Sequence, residues 1–169
     1  MKKILILAMM LNVSCGPSAP DFDEDHAFEY LLKQCEFGPR NPSSEGYYRC
    51  LDFMLEELDK TADDIIIQEF SYQERKHRTR HDLSNVIARY NIDSEIQTVI
   101  SCHWDTRPWS DSEPNRKDRN QPIIGANDGG SGLAVLLELV KIRLDSKFEK
   151  AFIIVRLFHL YVEEKEVLL

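Results

Sequence analysis

An α/β fold, a sheet covered by helices, is what the order of segments predicts. Three observations carry that expectation. Leu133–Leu144 has the apolar pattern of an amphipathic helix, strand-length apolar runs flank it at Gln97–His103 and Ala151–Phe158, and a glycine-rich loop opens into it. Strand, loop, helix, strand is the grammar of a βαβ unit. At 169 residues the chain can bury one sizeable core. Its 43% hydrophobic and 30% charged residues are those of an ordinary globular protein. The formal net charge of −8 excludes nucleic acid as the main partner, because phosphate binding needs a basic face.

The elements follow in chain order. Lys2-Lys3 and the unbroken apolar run Ile4–Leu11 read as a secretory signal, too short to span a bilayer stably. Ser14 before Cys15 resembles a bacterial lipoprotein processing site, with Asn12 standing where leucine is usual. Residues 1–15 are therefore expected to be a signal segment ending in a lipoprotein-like cysteine, processed so that Cys15 becomes the lipid-bearing N-terminus of an exported, envelope-anchored protein; plain secretion is the alternative. Residues 16–25 form a Pro/Ser/acidic linker, and one domain occupies 26–169.

Within that domain His26–Glu36 has helical spacing, and Phe37-Gly38-Pro39 breaks it. Ser43 or Ser44 can cap a second helix, Glu45–Lys60, with one apolar face at 47, 50, 51, 54, 55 and 58. Strands are expected over Asp64–Tyr72, Leu83–Tyr90 and Gln97–His103, the last as a buried strand. The basic cluster Arg75, Lys76, His77, Arg78 and Arg80 reads as a solvated hairpin tip. Residues 104–124 carry no periodic pattern, and connections of that length commonly line a site. Cys35, Cys50 and Cys102 read as small buried hydrophobes, although export would permit a Cys35–Cys50 disulfide.

The chemistry concentrates at His103-Trp104-Asp105 and Gly125-Ala126-Asn127-Asp128-Gly129-Gly130-Ser131-Gly132. Residues two apart in a strand face the same side, so Asp105 can orient the His103 imidazole. Asp128 sits in a loop with little side-chain bulk just before a helix, where a carboxylate can be a metal ligand or a helix cap. Imidazole and carboxylate at the carboxyl edge of a sheet are the ingredients of a zinc site. Other chemistries fail on sequence. Gly129-Gly130-Ser131-Gly132-Leu133 lacks the last glycine of a serine-hydrolase elbow, and Gly125–Gly132 holds no phosphate-loop lysine. No Cys-x-x-Cys exists to build a thiolate zinc cluster.

Four motifs in order resemble the zinc-dependent exopeptidase superfamily: Phe37-Gly38-Pro39-Arg40-Asn41-Pro42, Asn85-Val86-Ile87-Ala88, His103-Trp104-Asp105-Thr106-Arg107-Pro108-Trp109 and Gly125–Gly132. The resemblance covers roughly residues 26 to 155. The first motif and the His-Trp-Asp-Thr-Arg-Pro-Trp run favour its animal-type glutaminyl-peptide cyclotransferases and their bacterial relatives over plain aminopeptidases.

The implied fold is a three-layer α/β/α sandwich around a mixed, mostly parallel sheet. The implied reaction converts an N-terminal glutamine of a peptide or protein to pyroglutamate and ammonia, with one or two zinc ions. Carried over by position, Asp128 matches the zinc-binding aspartate. His103 matches a histidine that binds the second metal in two-zinc members and is no ligand in one-zinc cyclases, and Asp105 matches the aspartate behind it.

The departures come after Val155. There the family carries an acidic motif with the catalytic glutamate and the next ligand, and here Glu163-Glu164 arrive late and without the usual glycine. Glu163 as the catalytic glutamate and Glu164 as a zinc ligand are the expectation; His159 is incidental. The later aspartate and histidine ligands have no counterpart, so the C-terminal part of the domain is expected to be missing and the chain alone to have little or no activity. A zinc aminopeptidase is the second reading. A non-catalytic envelope lipoprotein that keeps the half-sheet for binding is the third.

Overall fold

The computed structural model describes residues 21–73, 78–93, 98–110, 112–145 and 151–156, with side chains through Ile142. Helix α1, Glu24–Glu36, starts inside the stretch expected to be linker, because the Asp23 side chain accepts the His26 amide at 2.9 Å and caps it. Helix α2, Glu45–Asp59, is capped by Ser44, whose hydroxyl accepts the Tyr47 amide at 3.1 Å. Its inward stripe is Tyr47, Cys50, Met54 and Leu58, all buried at helical spacing. Strands β1, Asp64–Gln73, and β2, Arg80–Tyr90, form a hairpin in continuous antiparallel register from Asp64↔Arg89 to Gln73↔Arg80. Strand β3, Val99–His103, is followed by the non-periodic connection, a wide turn at Ala126–Gly130, helix α3 (Ser131–Asp145) and strand β4 (Ala151–Arg156).

The strand order is β1-β2-β4-β3, so β4 inserts between the hairpin and β3. Among the described pairings β3 and β4 run parallel, and β2 is antiparallel to both β1 and β4. The mixed sheet is as expected, but among the described pairings it is mainly antiparallel. The reason is connectivity: the hairpin forces one reversal, whereas α3 is the crossover that a parallel pair requires.

Helices α1 and α2 each contact α3, and buried residues of all three join Val86, Ala88 and Tyr90 of β2 in one core cluster. Tyr47 secures this contact, its hydroxyl accepting the Ser84 amide at 2.7 Å inside the core. The opposite face is more open, with Ile66 at 41% and Val99 at 59% exposure. Strand β3 is therefore not the buried strand its composition suggested; it is the sheet's outer strand among the described residues, and an apolar run does not reveal whether tertiary structure covers it.

The cysteines Cys35, Cys50 and Cys102 are free thiols, and Cys50 alone is fully buried. Of the expected basic tip, Arg78 and Arg80 are exposed, and Arg75, Lys76 and His77 lie outside the described residues. Among the described residues no helix is long and apolar enough to cross a membrane.

Candidate metal centre

Strand β3 ends by delivering His103 at the sheet's carboxyl edge, and the next three residues turn inward. Trp104 is wholly buried against Tyr47, ring centroids 4.4 Å apart, which fixes the backbone between His103 and Asp105. His103 and Asp105 therefore share a side, opposite to Trp104, with His103 Nδ1 3.5 Å from Asp105 Oδ1. Asp105 is itself buried. A buried carboxylate behind an imidazole holds its ring orientation and raises its basicity. The hydrogen bond to Asp105 is the main reason the His103 imidazole lies above its ordinary pKa; burial opposes it, and the charges of Asp105 and Asp128 reinforce it.

Asp128 approaches from the other segment. The turn Ala126–Gly130 is non-helical at Asp128 and Gly129, which throws the Asp128 carboxylate back toward β3. Its Oδ1 lies 3.2 Å from His103 Nε2, and its Oδ2 lies 4.0 Å from Arg107 Nε. Gly129, at φ +91° and ψ −46°, makes the approach possible. A Cβ there would stand 2.8 Å from the Asp105 carbonyl oxygen and 3.1 Å from two His103 ring atoms. Backbone of the turn thus lies directly on the imidazole.

The imidazole is held between two carboxylates, Asp105 on Nδ1 and Asp128 toward Nε2. That arrangement suits one positive charge, supplied either by the protonated ring or by a cation bound to a neutral ring. The spacing of these two donors fits zinc. Two ligand atoms about 2.0–2.1 Å from a tetrahedral zinc stand about 3.3 Å apart, close to the observed His103–Asp128 spacing. Two donors are fewer than a zinc site needs, and no group of three or more possible ligands occurs among the described residues. Glu163 and Glu164, the expected catalytic glutamate and further ligand, lie outside the described residues, as does His159.

Arg40 lies inside one of the sequence motifs, yet sequence reasoning gave it no task. It is the fully buried side chain that ties the two site segments together: Nε donates to the Trp104 carbonyl at 2.9 Å, Nη1 to that of Ile124 at 3.0 Å, and Nη2 to that of Gly125 at 2.9 Å. Thr106 adds a backbone seam, its hydroxyl accepting the Arg40 amide at 2.8 Å. A second unforeseen cluster joins α1 to α3. The buried Glu138 carboxylate takes His26 Nδ1 at 2.6 Å, with Lys141 Nζ 3.7 Å away. The only sequence signal for it was a glutamate inside the apolar run Leu133–Val140.

Comparison with known proteins points to one family. Residues 85–168 match peptidase family M28. A glutaminyl cyclase of Bacteroides thetaiotaomicron, solved with N-acetylhistamine, is 32% identical over 82% of this chain and 47% of its own, with a TM-score of 0.77. A leucine aminopeptidase precursor from the same organism gives 32% identity, 82% and 48% coverage and a TM-score of 0.77. A Zn-dependent exopeptidase of Parabacteroides distasonis gives 29%, 89% and 52%, and 0.80. The chain spans about half the length of these solved relatives. With M28 sequence over β2 to β4 and this fold around His103 and Asp128, the chain belongs to the zinc-dependent exopeptidase superfamily and resembles its bacterial glutaminyl cyclases.

Proposed function

We propose that this chain carries the first half of a zinc-dependent glutaminyl-peptide cyclotransferase site, acting on peptide or protein N-termini. The observation that carries the reading is the 3.2 Å approach of His103 Nε2 to Asp128 Oδ1, backed by Asp105. Asp128 and His103 would hold zinc, with Glu164 as a further ligand, as one ion or two. Bound zinc would supply Lewis acidity to the substrate's amide carbonyl. In the reaction, the α-amine of an N-terminal glutamine attacks its own side-chain amide carbon. The new C–N bond closes pyroglutamate, the old one breaks, and the proton lost by the amine leaves with ammonia, carried by Glu163. Asp105 keeps the His103 ring turned toward Asp128 throughout.

The aminopeptidase reading has its own support, because His103 is oriented to ligate and a leucine aminopeptidase precursor is among the similar structures. The retained half-sheet as a non-catalytic lipoprotein is the third reading. Zinc and a Gln-initiated peptide added to the purified chain separate them: ammonia release marks the cyclase, and a freed amino acid marks the peptidase. Chelator-insensitive folding without zinc uptake marks the lipoprotein.

The Lys2-Lys3 and Ile4–Leu11 pattern supports export, with a lipid anchor on Cys15. Intact mass of protein from a bacterial host tests it: an acylated N-terminus at Cys15 is expected, and a chain that retains Met1 refutes it.

A further inference from the structure

Arg40 stands apart from every other charged side chain described. It is completely buried, yet the guanidinium spends its hydrogen bonds on backbone carbonyls from three separate segments: Gln34 at the end of α1, Trp104 after β3, and Ile124 and Gly125 before the turn. Burying a cation is costly unless its donors are satisfied, and the wide planar fork of a guanidinium, with five N–H donors, can reach four carbonyls spread over three segments. The bonded carbonyls are not scattered. Trp104 lies between His103 and Asp105, and Gly125 opens the turn that carries Asp128. The Arg40 backbone adds a two-way link with Thr106, its amide donating to Thr106 Oγ1 at 2.8 Å and its carbonyl accepting the Thr106 amide at 3.3 Å. Gln34 extends the brace, its amide donating to the Gly130 carbonyl at 3.1 Å.

We propose that Arg40 is a positioning residue for the metal centre: its guanidinium sets the distance between the segment bearing His103 and Asp105 and the turn bearing Asp128. Its functional meaning rests on the metal reading of those residues; its mechanical content does not. Lysine at position 40 keeps the charge, but a single ammonium cannot span all these carbonyls.

The test uses the full chain with Arg40→Met, Arg40→Lys and the control Tyr47→Phe, which breaks the buried bond to the Ser84 amide but keeps the ring against Trp104. Amide hydrogen exchange is read segment by segment, and zinc chloride affinity by calorimetry. In R40M, segments 104–107 and 124–130 should lose protection together while β2 keeps its own, and zinc affinity should fall about tenfold to a hundredfold. R40K should recover part of both. Y47F should loosen β2 and leave zinc affinity unchanged.

Retained protection of both loops in R40M, or a loss spread evenly through β2, overturns the proposal. If R40M does not fold, Thr106→Val decides alongside R40K. It should loosen 104–107 while 124–130 stays protected by the intact guanidinium, and equal loosening of both overturns the proposal. A wild-type chain that takes up no zinc refutes the metal reading instead, and the exchange pattern still decides what Arg40 does.

Discussion

Gly129→Ala is the substitution whose cost the structure specifies best. Two penalties combine at this position. The backbone, at φ +91° and ψ −46°, is one that alanine adopts only under strain, at a cost of about 1–3 kcal/mol. The new methyl would also stand 2.8 Å from the Asp105 carbonyl oxygen and 3.1 Å from the His103 ring, and such overpacking typically costs about a further 1–3 kcal/mol. Gly38 separates the two penalties, since it has a similar φ of +84° and no atom within 4 Å of the place a methyl would occupy. Gly38→Ala should therefore bear the backbone cost alone. Urea unfolding of both variants, with chelator present, gives the difference directly. We expect G129A to be the less stable by about 1–3 kcal/mol, and to bind zinc more weakly because the ring is pushed off Asp128. Equal midpoints for the two variants would show that the turn yields freely, and the close packing of turn on imidazole would then have no energetic meaning.

Other expectations follow from single contacts. Tyr47→Phe leaves the buried Ser84 amide without its acceptor and should cost about 1–3 kcal/mol by denaturant titration. Met54→Ala empties a fully buried position between α2 and the sheet, at about 2–5 kcal/mol in the same assay. Burial pushes the thiols of Cys50 and Cys102 up to about 12, so at about pH 8 both should resist iodoacetamide until the chain unfolds, as peptide mapping would show. The folded pKa of His103 is raised, so in chelator-treated protein its contribution to stability is fully present below the ordinary imidazole value and lost as pH rises through the folded one. His103→Gln should flatten that pH dependence of the melting temperature; an unchanged profile would deny the contribution.

Several elements were legible in the sequence because their signals are local. Ser44 before an apolar stripe gave α2 its start, and the two-residue spacing of His103 and Asp105 placed imidazole and carboxylate on one side. The pairing sense of β2 was not legible, since its neighbour β4 arrives more than sixty positions later in the chain and carries no mark of direction. Nor was the openness of Val99, which depends on what covers the sheet. Arg40 escaped for a related reason: its partners are main-chain oxygens, which every residue possesses, so no choice of side chains announces the brace. The union of His26 with Glu138 spans the same kind of distance and left only an acidic residue in an apolar row.

The indole of Trp104 also equips the molecule with an optical gauge. One of two tryptophans in the chain, it is sealed from water and packed at a tilt against a phenol ring, next in sequence to the imidazole that faces Asp128. A sealed indole emits toward the blue and shifts red once water reaches it, so fluorescence excited at the indole band would follow the loosening of this corner in real time, without any added label.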